Sequence, residues 1–255
     1  MNTKRLYAIC LMGLTWLGAW LAAPARADDV RVAVAANFSA PLQAIARAFT
    51  ARTDQRVEVI AGSTGQLAAQ IRNGAPFDVL LSADAETPQR LEAQGLGVKV
   101  RRFTYAIGQL VLYSAEPGRV DADGQVLKRG RYKRLAVADP RLAPYGAAAL
   151  EVLQSLGLRQ AAADRIVTGE NITQTYQFVR SGNADLGFVA LSQVVALPPS
   201  DGSYWRVPAS LYTPLRQDAL LLVHGQGKSA AGAFLDFLRH DEARAVIRRF
   251  CYDLP

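Results

Sequence analysis

The chain has 255 residues, half of them apolar, which is enough to bury a sizeable core as one large domain or two lobes. Its formal charge of +7 is too mild an excess to indicate nucleic acid by itself. Two cysteines and two histidines exclude a disulfide-stapled scaffold and any Cys/His metal spacing.

In chain order, residues 1–27 read first as a removable export signal. Lys4 and Arg5 precede an apolar run over 6–23, and Ala25-Arg26-Ala27 supplies a small-x-small cleavage site. At about 18 residues the run is marginal for a membrane span. Cys10 does not mark a lipid anchor, because Ile9 stands where a small residue is needed and the apolar run continues past it. The mature chain then begins at Asp28 with 26 basic and 22 acidic residues, a net charge of +4 that could help attract an anion. Cys251 is its only cysteine, so no intramolecular disulfide can form, and the thiol is expected to pack near the C-terminus.

After the signal, strand and helix patterns alternate. Residues 30–35 read as a strand, 42–49 as a helix, 57–60 as a strand and 67–71 as a helix. A short buried strand follows over 78–81, then a helix over 88–94 ended by Gly95. The βαβαβ order implies a parallel sheet covered by helices. Further on, strands are expected at 110–113, 135–137, 166–167, 186–189 and 219–223. Helices are expected at 147–156 and 172–180, and a single amphipathic helical stretch at 230–250. The basic run KRGRYKR, 128–134, reads as a solvated loop. No Pro/Ser-rich linker interrupts the chain, so two α/β lobes would be joined by strands. Residues 105–113 and 220–224 are the natural crossings, with the last helix returning to the first lobe.

Four helix mouths attract attention. AANFSAPLQ follows the first strand and GSTGQL the second; DPRLAPYGAAAL and TGENITQTY open helices in the second half. A helix N-terminus leaves backbone N–H groups unpaired and carries roughly +0.5 of an elementary charge, so several aimed at one point make an anion site. Hydroxyls add donors without charge. Any one of these turns could be a plain N-cap; together they point to an oxyanion held by neutral dipoles between two lobes. A serine hydrolase would need a base and a Gly-x-Ser-x-Gly turn, and a P-loop enzyme would need a lysine after the glycines; both are missing.

The stretches VAVAANFSAPLQAIARAF, AGSTGQLAAQIRNGAPFDVLLSAD, RLAVADPRLAPYGAAALEVL and SGNADLGFVALSQV make the mature chain resemble the periplasmic molybdate-binding proteins of ABC importers. The resemblance implies a two-lobe α/β type II periplasmic binding protein, each lobe a mostly parallel sheet flanked by helices, joined by two hinge strands. Residues 28–106 and 224–255 would form the first lobe and 107–223 the second. It further implies a monomer, not an enzyme and without a cofactor, that takes molybdate or tungstate to an inner-membrane permease with its ATPase. By position, the ion would be held through its oxygens, with no direct metal ligand, by Asn37, by the backbone of Ala36, by Thr64 or the adjacent Ser63, by Tyr145 and by the N–H of Ile172. Some relatives have a tyrosine where this chain has Ala190, and Tyr145 takes over that role. Glu170 and Asp139 lie in the site loops and are expected to point away. The alternative reading is a binder of another tetrahedral oxyanion, such as sulfate or a phosphonate.

Overall fold

The computed structural model describes residues 29–255; the export signal expected over 1–27 lies outside them. The first half runs β1 (Val30–Ala35), α1 (Ser39–Thr53), β2 (Val57–Gly62), α2 (Thr64–Arg72), β3 (Val79–Leu81), α3 (Glu86–Ala93) and β4 (Gly97–Gly108). It continues with β5 (Leu110–Ser114), α4 (Gln125–Arg129), β6 (Leu135–Ala138), α5 (Pro144–Ser155), α6 (Arg159–Ala162), β7 (Ile166–Gly169), α7 (Ile172–Arg180), β8 (Leu186–Ala190) and α8 (Leu191–Val194). It ends with β9 (Ser203–Arg206), β10 (Leu215–Leu222), α9 (Ser229–Phe237) and α10 (Asp241–Arg249).

The strands form two five-stranded sheets, ordered β2-β1-β3-β10-β4 and β7-β6-β8-β5-β9. In each, a parallel trio (β2-β1-β3 or β7-β6-β8) is extended by antiparallel partners: β10 against β3 and β4, β5 against β8 and β9. Both faces of each sheet are covered, which is why the strands read as near-continuous apolar runs. On β1, Val30, Val32 and Val34 pack with Phe49, Phe234 and Ile247, while Ala33 faces the layer that holds Leu67 and Leu91. In the second lobe Leu135, Val137 and Phe188 pack against Val152 and Leu153 of α5, and Ala136 and Val189 join Val179 on the opposite face.

Three expectations are corrected. The strand at the end of the predicted second lobe, β10, belongs to the first sheet, where it sits between β3 and β4. The crossings are therefore the single residue Gln109 between β4 and β5, and the segment 207–214 between β9 and β10, rather than 220–224. The helical stretch expected over 230–250 breaks into α9 and α10, because Leu238–His240 turns the chain and Asp241 and Glu242 then occupy the first turn of a new helix. Two strands, β4 and β9, escaped the periodicity reading; β4 mixes Lys99, Arg101 and Arg102 into a partly exposed strand. The C-terminus returns to the hinge, where Asp253 exchanges backbone hydrogen bonds with Ile107. Cys251 is a half-buried free thiol packed beside the second-lobe core.

Candidate functional site

The C-terminal ends of β1, β2, β6 and β7 all point into one crevice between the lobes, the general position for ligands of open α/β sheets. A small cavity there is lined by Ala36, Asn37, Ser63, Thr64, Tyr145 and Ile172, with Ala35, Gly62, Ala83, Ala143, Pro144 and Asn171. All six residues singled out from the sequence thus meet around one space, although they come from four separate loops. None of the lining residues is charged. Glu170 is exposed and Asp139 is bound by the Arg141 guanidinium, which holds its carboxyl below the usual range; neither lines the cavity.

Local sequence explains each mouth. Ser63 caps α2 through a capping box: its hydroxyl accepts from the Gln66 N–H at 3.4 Å and the Gln66 side-chain carbonyl accepts from the Ser63 N–H at 3.3 Å. Asn171 caps α7, its side-chain oxygen accepting from Thr173 and Gln174, both at 3.0 Å. These caps satisfy the second and third N–H groups of α7 and leave the N–H of Ile172, the first residue, without an acceptor inside the helix. Pro144 opens α5. Close approach is bought with glycine at Gly146, where a Cβ would sit 2.0 Å from the Ala138 carbonyl oxygen. Gly65 has the same role across the crevice. Its N–H donates to the Leu142 carbonyl at 2.8 Å, and a Cβ there would lie 3.0 Å from the Leu142 Cα.

The hydroxyls are held in one sense. Thr64 Oγ1 accepts from the Ala83 N–H at 3.1 Å, Ser63 Oγ from Gln66, and the Tyr145 hydroxyl from Gln217 Nε2 at 3.2 Å. Each oxygen accepts an N–H, and each hydroxyl retains its hydrogen to donate. Burial pushes the Tyr145 hydroxyl well above the ordinary phenol range, so it stays protonated and remains a donor.

Asn37 differs from expectation in detail. Its side chain is turned into a buried network, with the amide nitrogen donating to Gln217 Oε1 at 2.9 Å and to the Tyr252 hydroxyl at 3.0 Å. Both amide hydrogens are spent, so this loop offers the cavity the backbone N–H groups at the start of the 3₁₀ turn Ala36–Phe38. Sequence reasoning missed the supporting layer of Gln217, Tyr105, Tyr252 and Ser192. Tyr105 donates to the Ser82 carbonyl or to Gln217 Oε1, both at 3.1 Å, and Ser192 reaches the Asn37 carbonyl from the second lobe at 3.2 Å. One signal was available: Gln217 and Asp218 are polar residues beside the apolar run 219–222 of β10, and both are buried.

On its outer side the cavity meets a wider interlobe cleft that shares Thr64, Ala83, Ala143 and Pro144 with it and carries Arg90, Arg141 and Arg216 among its walls. Cationic side chains therefore stand outside the cavity. Among the described residues, no group of three or more His, Cys, Asp or Glu could hold a metal ion, and no helix is long and apolar enough to cross a membrane.

The family model for bacterial extracellular solute-binding proteins matches residues 30–253. The molybdate-binding protein ModA of Azotobacter vinelandii is 50% identical over 235 residues, covering 92% of this chain and 93% of that protein. ModA of Rhodobacter capsulatus is 49% identical over 232 residues, covering 91% of each. Among solved structures, the Azotobacter vinelandii periplasmic molybdate-binding protein gives a TM-score of 0.86 at 40% identity, over 89% of this chain and 99% of that one. The sulfate-binding protein SubI of Mycobacterium tuberculosis H37Rv, at 14% identity and a TM-score of 0.74, shares the fold.

Proposed function

The chain belongs to the bacterial extracellular solute-binding proteins, in the branch of the molybdate-binding proteins, and from that premise we propose that it captures molybdate in the interlobe cavity for an ABC importer. Tungstate, of the same shape and charge, is the second expected ligand. The inner-membrane permease with its ATPase is the partner the closed lobes would face, and the periplasm, reached by the export signal, is the compartment.

The observation that supports this most is an uncharged cavity at which helix and turn starts from both lobes converge with three hydroxyls. Molybdate is fully deprotonated at neutral pH, so each of its oxygens can take hydrogen bonds and none needs an acceptor. Backbone N–H groups at helix starts and oriented hydroxyls meet that demand without a cation. Sulfate has the same charge but a smaller radius, so its rejection must come from the span between the lobes. The cavity suits a carrier more than an enzyme: neither His224 nor His240 lines it, and its hydroxyls have no base beside them.

A thermal-shift series tests the reading. Molybdate and tungstate are expected to raise the melting temperature by several degrees at concentrations where sulfate and phosphate leave it unchanged. Stabilisation by sulfate alone would replace molybdate with the smaller ion. A second measurement addresses the paired hydroxyls of the second loop. Since Ser63 and Thr64 each accept an N–H and keep a hydrogen, Ser63→Ala and Thr64→Val are each expected to weaken molybdate binding about tenfold or more, as hydrogen bonds to a charged group contribute about 1.5–3 kcal/mol. Calorimetric titration reads both, and a variant with wild-type affinity would remove its hydroxyl from the site.

A further inference from the structure

A cage of hydroxyls does not by itself exclude a protonated anion, because a hydroxyl can accept as readily as it donates. Hydrogen phosphate could turn its P–OH toward any hydroxyl free to rotate. Selectivity for a proton-free ion is therefore sharpened by a donor behind each hydroxyl, which takes up a lone pair and biases the hydroxyl toward donating to the ligand. For Ser63 and Thr64 that role falls to backbone N–H groups, of Gln66 and Ala83, whose polarity cannot reverse. For Tyr145 it falls to a side-chain amide, Gln217, which in principle could present either its oxygen or its nitrogen.

The orientation of Gln217 follows from a chain of contacts that begins at a backbone carbonyl. The Tyr252 hydroxyl donates to the Asn37 carbonyl at 2.7 Å, or to Ser192 Oγ at 3.0 Å when Ser192 itself donates to that carbonyl. Either way its hydrogen is used, and toward the Asn37 side chain it can only accept. Asn37 must then present its amide nitrogen, whose second hydrogen meets Gln217 and requires an oxygen there. The Tyr105 hydroxyl approaches that same oxygen, Gln217 Oε1, at 3.1 Å. The Gln217 nitrogen is left facing the Tyr145 hydroxyl, which must accept. Gln217 is fully buried, so no bulk water relaxes this order.

We infer that Gln217, through this relay from the Asn37 carbonyl, locks the Tyr145 hydroxyl as a donor and so makes Gln217 a specificity-determining residue against protonated oxyanions. The inference rests on the oxyanion reading above and deepens it: size excludes sulfate, and hydrogen-bond polarity excludes hydrogen phosphate. The relay also crosses the crevice. Tyr145 belongs to α5 of the second lobe and Gln217 to β10 of the first, so the lock exists only when the lobes are together.

The test compares sodium molybdate and sodium phosphate by calorimetry, in mildly alkaline buffer where inorganic phosphate is the hydrogen phosphate dianion. Gln217→Met keeps the side chain's length and removes its N–H. The ratio of molybdate to phosphate affinity is expected to narrow by about tenfold or more, since the freed Tyr145 hydroxyl can accept the phosphate proton. Tyr145→Phe removes the hydroxyl and is expected to narrow the ratio too. Adding Gln217→Met to Tyr145→Phe is expected to change it no further, because Gln217 acts only through that hydroxyl. A ratio in Gln217→Met equal to wild type overturns the inference, as does the same narrowing with and without the Tyr145 hydroxyl. Should Gln217→Met fail to fold, Gln217→Glu serves instead: its carboxylate repels both dianions alike but accepts from Tyr145, so both affinities are expected to fall while their ratio still narrows, and an unchanged ratio there is equally fatal. Wild-type protein that ignores molybdate altogether would sink the functional reading instead.

Discussion

Gly108→Ala is expected to weaken molybdate binding by about a hundredfold or more while leaving the unliganded protein folded. Gly108 ends β4, one residue before the crossing into the second lobe. A Cβ built on it would lie 2.1 Å from the Tyr145 hydroxyl and 2.5 Å from Gln217 Nε2, inside any permitted contact. The methyl group therefore removes the space in which those two side chains meet. Tyr145 is fully buried and cannot step aside within the closed arrangement, so relief requires the lobes to part. Parting dismantles the shared cavity, which loses its second-lobe donors, Tyr145 and Ile172. Loss of two hydrogen bonds to a dianion, at about 1.5–3 kcal/mol each, accounts for the expected size. The strand itself does not object, since alanine within a strand is favoured over glycine by roughly 0.5–1 kcal/mol. Calorimetry with molybdate and a melting curve without it read the two halves of this result. Wild-type affinity in Gly108→Ala would mean that Tyr145 takes no part in holding the ion.

The second large effect is expected at alkaline pH. Tyr105, Tyr145 and Tyr252 are buried in one network, and burial raises all three hydroxyls, Tyr252 to about 12 from 10.0. Below pH 10 these tyrosines are protonated in both the folded and the unfolded chain, and their contribution is fully present. For Tyr252, from there up to about 12, the unfolded chain releases a proton that the folded one retains, so stability falls by about 1.4 kcal/mol per pH unit. For Tyr252 alone this amounts to something on the order of 3 kcal/mol, and Tyr105 and Tyr145 shift in the same direction. Denaturant midpoints measured from neutral pH upward should therefore drop steeply above pH 10. Tyr252→Phe should start lower, because the Asn37 carbonyl and amide lose a partner, yet fall less steeply. Equal slopes in the two proteins would show that Tyr252 ionises as an ordinary exposed phenol.

Directional contacts between the two lobes include four near the cavity: Gly65 to Leu142, Thr173 to Ala36, Ser192 to Asn37 and Gln217 to Tyr145. All four surround the cavity. An ion bound there would add hydrogen bonds from both sides of the same seam, which ties occupancy to closure by geometry alone.

Much of this was legible in the chain because it is written in local terms. The period-two apolar run of β1, the Ser63 capping box and the Pro144 helix start each depend on residues within a few positions of one another, so neighbours in sequence determine them. The four helix mouths followed from that level, and the family resemblance singled out Ala36, Asn37, Ser63, Thr64, Tyr145 and Ile172 within them. What only the tertiary structure decided lies at long sequence separation. β10 passes to the first sheet because its apolar residues 219–221 complete the pairing of β3, a preference the strand does not carry in its own pattern. The Asn37 side chain turns from the cavity because Gln217 and Tyr252, 180 and 215 positions away, take its amide hydrogens. Donors could be counted from sequence, but the sense in which the Thr64 and Tyr145 hydroxyls donate is set by partners that only folding brings within 3.5 Å of them.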